Sequence, residues 1–143
     1  MELSKQVCSL KLAKKLKKLG VKQESYFLHI LDNNEWEIEN KYIWEKIEGE
    51  WGYGREIKDL ERCSAFTVAE LGEIMKEKGL GTTAHSDIST GGWWVRGGIW
   101  NVGNQQYEGF EEDKIWANAL AKMLVYLLEN KLLGELRGEG KCQ

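Results

Sequence analysis

Glycine is the residue type that most constrains this chain, because the sequence contains 16 glycines and no proline. Without proline, sharp reversals depend on glycine, or on asparagine and aspartate, which tolerate left-handed backbone conformations. The glycines concentrate in three stretches, at positions 49–54, 79–109 and 134–140. These stretches therefore predict where the loops lie, and they leave the segments between them for helices and strands.

Length and composition indicate one soluble domain. The chain has 143 residues, of which 42% are hydrophobic and 30% are charged, as in ordinary globular proteins. A net charge of -3 provides no overall field that would attract nucleic acid or a membrane. No apolar run approaches the roughly 20 residues of a spanning helix, and no apolar signal core follows the first residues. We expect a single domain over 1–134, a frayed tail over 135–143, a cytoplasmic location, and neither membrane nor nucleic-acid partners.

The cysteines do not predict a metal site or a disulfide framework. Cys8, Cys63 and Cys142 are odd in number and widely spaced, and they form no C-x-x-C pair. We expect reduced structural thiols, no metal and no cofactor.

Two short helices are predicted from capping signals. The first runs from Ser9 to Leu19, is capped by its first residue and ends at Gly20. Its lysines occupy the face opposite an apolar stripe, and we expect them to be solvated. The second follows a capping box formed by Thr67 and Glu70 and stops at Gly79.

The longest helix is predicted from Glu111 to Leu133, with acidic residues in its first turn that complement the helix dipole. Its apolar residues form a band too wide for a surface helix, which predicts a central core helix. The band consists of Ile115, Trp116, Ala119, Leu120, Met123, Leu124, Leu127 and Leu128.

Strands are predicted from short apolar or alternating runs. Ser25 to Leu31 and Glu35 to Trp44 flank the turn Asp32-Asn33-Asn34 and predict a hairpin. Trp93 to Val102 predicts another strand, whereas the small polar residues from Leu80 to Thr90 predict a loop. The expected fold is a single α+β domain, with an antiparallel sheet of about four strands packed by the long C-terminal helix and two shorter helices.

One segment of the chain, from Gly91 to Trp100, combines features of a ligand site. Tryptophan offers a flat apolar face, arginine a planar cation, and glycine lets a ligand approach the backbone N–H groups. The glycine pair within the strand indicates a bulge or a close backbone approach. The predicted site comprises Trp93, Trp94, Arg96, Trp100, Gly91, Gly92, Gly97 and Gly98, together with Thr82, Thr83, His85 and Ser86 from the expected loop.

Strand alternation refines this prediction. Trp94 and Arg96 are separated by two positions and would share a face, whereas Trp93 would lie on the opposite face. We therefore expect Trp94 to stack on a flat group, Arg96 to pair with a phosphate, and Trp93 to support the core. The glycine N–H groups would complete an anion cradle.

Three segments resemble a family of small uncharacterised proteins of bacteriophages and prophages, and together they cover about a third of the chain. They read VCSLKLAKKLKKLGVKQES, SAFTVAELGE and AKMLVYLLEN. The resemblance implies a phage origin, a bacterial cytoplasm and an accessory role in infection. Phage accessory proteins of this size include sponges that sequester nucleotide signals of host immunity. The Gly91 to Trp100 segment lies outside the matching blocks.

Sequence motifs leave three functions open. The chain has no G-x-S-x-G elbow, no P-loop and no H-E-x-x-H motif, so an enzyme is not favoured. The first function is non-enzymatic binding of a small anionic nucleotide-like ligand. The alternatives are a protein-interaction module that inhibits or redirects a host factor, and a small hydrolase that uses His85 and Asp87. Homo-oligomerisation is left open.

Overall fold

The computed structural model describes residues 2–40, 60–101, 104–105 and 109–130. This part of the chain contains both helices and strands, which confirms the α+β class. Its α-helices are α1 (Leu10–Lys18), α2 (Val68–Glu77) and α3 (Trp116–Glu129). Its strands are β1 (Phe27–Asp32), β2 (Glu35–Asn40), β3 (Arg62–Ser64), β4 (Leu80–Asp87), β5 (Gly92–Asn101), β6 (Asn104–Gln105) and β7 (Gly109–Asp113).

The described strands form two antiparallel sheets, so the prediction of one sheet of about four strands is met only in part. In the first sheet β1 lies between β2 and β3, and in the second β5 pairs with β4, β6 and β7. Two edge strands account for the difference. The three residues of β3 are too few to show alternation, and β4 has the composition of a loop. Each edge strand completes a separate sheet.

The first hairpin confirms the predicted turn. β1 and β2 pair in register from Phe27 with Asn40 to Asp32 with Glu35. Asn33 and Asn34 both have positive φ angles, 52° and 64°, as expected for a two-residue turn that matches the strand twist. The predicted continuation to Trp44 lies outside the described residues.

The predicted loop from Leu80 to Thr90 is wrong over most of its length. Leu80–Asp87 is β4, which pairs residue by residue with β5 up to the pair of Asp87 with Gly92. Backbone pairing with a neighbouring strand outweighs the weak strand preference of small polar side chains. The turn begins only after Asp87 and closes at Gly91, which has a φ of 73° and donates its N–H to the Asp87 carbonyl oxygen at 2.8 Å.

The two short helices begin and end where their caps predict. The Ser9 hydroxyl accepts the Leu12 N–H before α1, and Gly20 follows the helix with a φ of 89°. Before α2, the Thr67 hydroxyl accepts the Glu70 N–H at 3.2 Å, and a Glu70 carboxylate oxygen accepts the Thr67 N–H at 2.9 Å. The predicted capping box is therefore confirmed.

The lysines of α1 are exposed, as predicted, and two of them also contact the first sheet. Lys14 Nζ lies 4.6 Å from the ring centroid of Trp36, and Lys17 Nζ donates to the Arg62 carbonyl oxygen at 2.6 Å. Both contacts join α1 to the first sheet. A cation over an indole contributes about 0.5–1 kcal/mol at an exposed site.

The long helix begins later than predicted. Residues Gly109–Asp113 form β7 against β5, and α3 starts only at Trp116, with no acidic residue in its first turn. An Asp113 carboxylate oxygen accepts the Ile115 N–H at 2.9 Å, which turns the chain between strand and helix. The predicted end at Leu133 and the tail over 135–143 lie outside the described residues.

α3 is the central helix of the core, as its apolar band predicts. It packs against α1, α2, β5 and β7. Its buried residues join the main hydrophobic cluster with residues of the other helices and of β5. They are Ala117, Ala119, Leu120, Ala121, Met123, Leu124, Val125 and Leu127.

β5 approaches α3 closely at a glycine. A Cβ atom added to Gly97 would lie 2.7 Å from Met123 Cγ and 2.9 Å from Met123 Sδ. The register continues through Gly97 with Thr82 and through Gly98 with Gly81, so the strand has no bulge here. Of the two predicted explanations for this glycine pair, the structure shows the close approach.

We expect Leu124→Ala to lower the free energy of unfolding by about 2–5 kcal/mol, the usual range for a fully buried leucine. Leu124 has no exposed surface and lies in the middle of α3. Denaturant unfolding monitored by circular dichroism measures the change, and Glu129→Ala at an exposed position of the same helix is the control. Equal stability of the two variants would contradict the central role of α3.

Candidate ligand-binding face

The alternation of β5 separates a core face from an outward face. Val95 has no exposed surface and belongs to the main core, and Gly97 approaches Met123 on the same side. Trp93 shares this side and stacks on Trp116 of α3, with ring centroids 4.4 Å apart and planes 10° from parallel. The indole of Trp93 is therefore part of the contact between sheet and helix.

Trp94 and Arg96 lie on the opposite side of β5. Their direct partners on β4 are His85 and Thr83, respectively, and residues opposite each other in an antiparallel pair point to the same side. We call the surface formed by Thr83, His85, Trp94 and Arg96 the Trp94 face. Four of the twelve predicted site residues thus lie together.

A stacked pair of rings dominates the Trp94 face. The His85 imidazole lies parallel to the Trp94 indole, with centroids 4.2 Å apart and an interplanar angle of 16°. His85 is exposed and Trp94 is half-buried. Because the imidazole already covers one face of the indole, a flat ligand would extend this stack rather than cover a bare tryptophan.

Charges of opposite sign flank the ring pair. Arg96 is exposed and lies two residues from Trp94 along β5, which places the two Cα atoms roughly 7 Å apart. On the other neighbouring strand, the exposed Glu112 of β7 pairs with Trp94 and shares its face. An anionic group would therefore be attracted toward Arg96 and repelled from Glu112. The sequence pattern predicts a helix from Glu111 onward, so it does not indicate Glu112 as part of this face.

The expected cradle of glycine N–H groups is not formed. The Gly91 N–H is bonded within the hairpin turn, and the Gly92 N–H donates to the Thr90 hydroxyl at 3.3 Å. Gly97 lies in a ladder between β4 and β7, and Gly98 pairs with β4. The N–H groups of a central strand alternate between its two neighbours, so the Gly97 N–H is committed to the sheet. The expected role of the Trp100 side chain lies outside what the structure describes.

Thr82 and Ser86 are separated from the Trp94 face. Their partners on β5 are Gly97 and Trp93, so both side chains belong to the side that faces α3. The expectation that they line the same surface as Arg96 is therefore not met. Its physical reason is that residues 80–87 form a strand, which sends alternate side chains to opposite sides.

His85 and Asp87, the residues of the hydrolase alternative, lie on the same side of β4, but the Asp87 carboxylate is bonded within the hairpin turn. The Asp87 carboxylate accepts the Ser89 hydroxyl at 2.7 Å and the Ser89 N–H at 3.0 Å, and these bonds lower the pKa of Asp87. Ser86 lies across the sheet from His85. Within the described residues, Ser86, His85 and Asp87 do not form the hydrogen-bonded series of nucleophile, base and acid that a catalytic triad needs.

A buried cluster of His29 and two cysteines lies in the first sheet region. The His29 Nε2–H donates to the Cys8 carbonyl oxygen at 2.9 Å, and Cys63 is opposite His29 on β3. Burial raises the pKa of Cys8 to about 12 and also raises the pKa of Cys63, so both thiols are neutral. Neutral thiols are poor nucleophiles, which makes this cluster structural rather than catalytic.

No family model, curated protein or solved structure matches the chain. Among the described helices, none has the length and apolar character needed to cross a membrane.

We expect stability to fall as the pH falls below about 6.5, the ordinary pKa of histidine, because burial lowers the pKa of His29. In that window the unfolded chain takes up a proton at His29 and the folded chain does not, which favours unfolding. His29→Gln keeps a donor for Cys8 and removes the titration. The free energy of unfolding, measured by urea titration from pH 7 to 5, should depend less on pH in this variant. An unchanged slope would contradict the assignment.

Proposed function

We propose that this protein binds a small anionic, nucleotide-like ligand on the Trp94 face without converting it chemically. The observation that carries the proposal is the stack of the exposed His85 ring on the half-buried Trp94 ring, beside Arg96 on the same side of one sheet. Stacking of a base on an aromatic side chain contributes about 1–3 kcal/mol and tolerates different bases. Arginine supplies a planar fork that matches the oxygens of a phosphate.

The layout of the face assigns an orientation to the ligand. The base extends the stack of imidazole and indole, and the phosphate lies toward Arg96, away from Glu112. The Thr83 hydroxyl, opposite Arg96 on β4, is within the same row and suits a phosphate or sugar oxygen. The length of two strand residues is comparable to the distance from the base of a nucleotide, across its sugar, to the phosphate.

From the resemblance of three segments to phage proteins, we further propose that this binding has a role in infection. A phage protein that sequesters a nucleotide signal of host immunity in the bacterial cytoplasm needs affinity and no catalytic group. Ser86 lies on the opposite side of β4 from His85, and the Asp87 carboxylate is bonded to Ser89, which supports a binding role over hydrolysis.

Binding of adenosine 5′-monophosphate, used as a probe, tests the proposal by isothermal titration calorimetry. We expect Trp94→Ala to weaken binding by about 1–3 kcal/mol, the value of one base stack, and Arg96→Ala to weaken it while the fold is kept. Glu112→Gln should tighten binding, because it removes a negative charge near the ligand.

Tyr26→Ala is the matched control, since it removes an exposed aromatic side chain that precedes β1 and lies outside the second sheet, and it should leave nucleotide binding unchanged. Mass spectrometry of small molecules released from the denatured protein, purified from bacteria with active nucleotide signalling, identifies the natural ligand. If Trp94→Ala unfolds the protein and Arg96→Ala has no effect on binding, the proposal is wrong.

A further inference from the structure

A cleft of about 700 Å³ lies on the other side of the second sheet, where three separate parts of the chain meet. An isolated bridge between Val7 and Thr67 brings the N-terminal segment against the start of α2. Pairing of Trp93 with Asp113 brings the first residues of β5 beside the start of α3. The volume of the cleft falls within the range of roughly 300–1,000 Å³ that is usual for small-molecule sites.

Aromatic and aliphatic side chains form the wall of this cleft. The stacked indoles of Trp93 and Trp116 line it together with Val68 and Ile115. Trp116 is 38% exposed although it is a large apolar residue, and its partner Trp93 is half-buried. The stack fixes the orientation of the Trp116 ring, so its exposed surface is a preformed flat platform.

The charges at the cleft all have one sign. Lys5 and Lys114 are exposed and line it, and the other described lining residues, from 6, 67–69, 93, 115 and 116, are uncharged. This arrangement contrasts with the chain as a whole, which carries a net charge of -3. Two lysines converging on an apolar aromatic wall are complementary to a flat apolar group that bears an acidic substituent.

We infer that this cleft is a second binding site, which takes a small aromatic anion such as an aryl carboxylate. The aromatic ring packs on the Trp116 platform, and the acidic group pairs with Lys114 and Lys5. The site is independent of the Trp94 face, because the sheet lies between the two: Trp93 and Trp94 point to opposite sides of β5.

Calorimetric titration with 2-naphthoate tests the inference, with the 2-naphthylmethylammonium cation as a probe of the same ring system and opposite charge. We expect the anion to bind saturably and the cation to bind at least about tenfold more weakly, because the charged groups at the cleft are both cationic. Lys114→Gln and Lys5→Gln should each weaken naphthoate binding about threefold, as for a partly solvated ion pair. Lys76→Gln, at an exposed position of α2 outside the cleft, is the matched control and should have no effect.

Indole N–H signals in ¹H–¹⁵N spectra, assigned from single variants, locate the probe. Naphthoate should shift the signals of Trp93 and Trp116 and leave that of Trp94 in place, and Trp94→Ala should keep naphthoate affinity. Equal affinity for anion and cation, equal effects of Lys114→Gln and Lys76→Gln, or a shift confined to Trp94 would overturn the inference. More than about tenfold tighter binding of an acidic aromatic tripeptide would assign the cleft to a peptide partner instead. Naphthoate binding at the cleft and nucleotide binding at the Trp94 face are measured separately, so either proposal can fail without the other.

Discussion

The contact between Gly97 and Met123 is the constraint on which the rest of the second sheet depends. α3 has more buried residues than either of the other described α-helices, and it can lie against β5 only because no Cβ occupies position 97. Packing of this tightness leaves little freedom for β5 to rotate or slip, since a slip of one residue would exchange every side chain between core and surface. The position of one glycine thus fixes which side chains of β5 belong to the core.

This constraint determines which side chains each face of β5 presents. The side facing α3 holds Val95 and the Trp93–Trp116 stack, and the cleft with its two lysines opens at the edge of that stack. The outward side holds Arg96 and the Trp94 indole, which the pairing of β4 with β5 places beside His85. Adjacent tryptophans in the sequence therefore have different surroundings, and they support two distinct proposals for binding.

Local signals in the sequence predicted much of this architecture, and long-range pairing accounts for what they missed. The capping box at Thr67, the two-asparagine turn and the apolar band of the last helix each depend on residues close together in sequence. The strand character of residues 80–87 depends on β5, and the start of α3 depends on β7 occupying the other edge of β5. In the candidate site, strand alternation predicted that Trp94 and Arg96 share a face. The positions of Glu112 and of the His85 imidazole against the Trp94 indole could not be predicted locally, because they depend on the register of β4, β5 and β7.

The free energy of unfolding of Gly97→Ala, measured in the natural background and in Met123→Ala, tests the central constraint most directly. The account predicts a loss of about 1–3 kcal/mol in the natural background, the usual effect of overpacking a core. It predicts a much smaller loss in Met123→Ala, where the two nearest obstructing atoms are gone and Thr82 Cγ2, 3.3 Å from the added Cβ, remains. Gly72→Ala in α2, where a Cβ would meet no atom within 4 Å, is the control and should not destabilise the protein. Equal losses from Gly97→Ala in both backgrounds would contradict the claim that the approach of α3 sets the faces of β5.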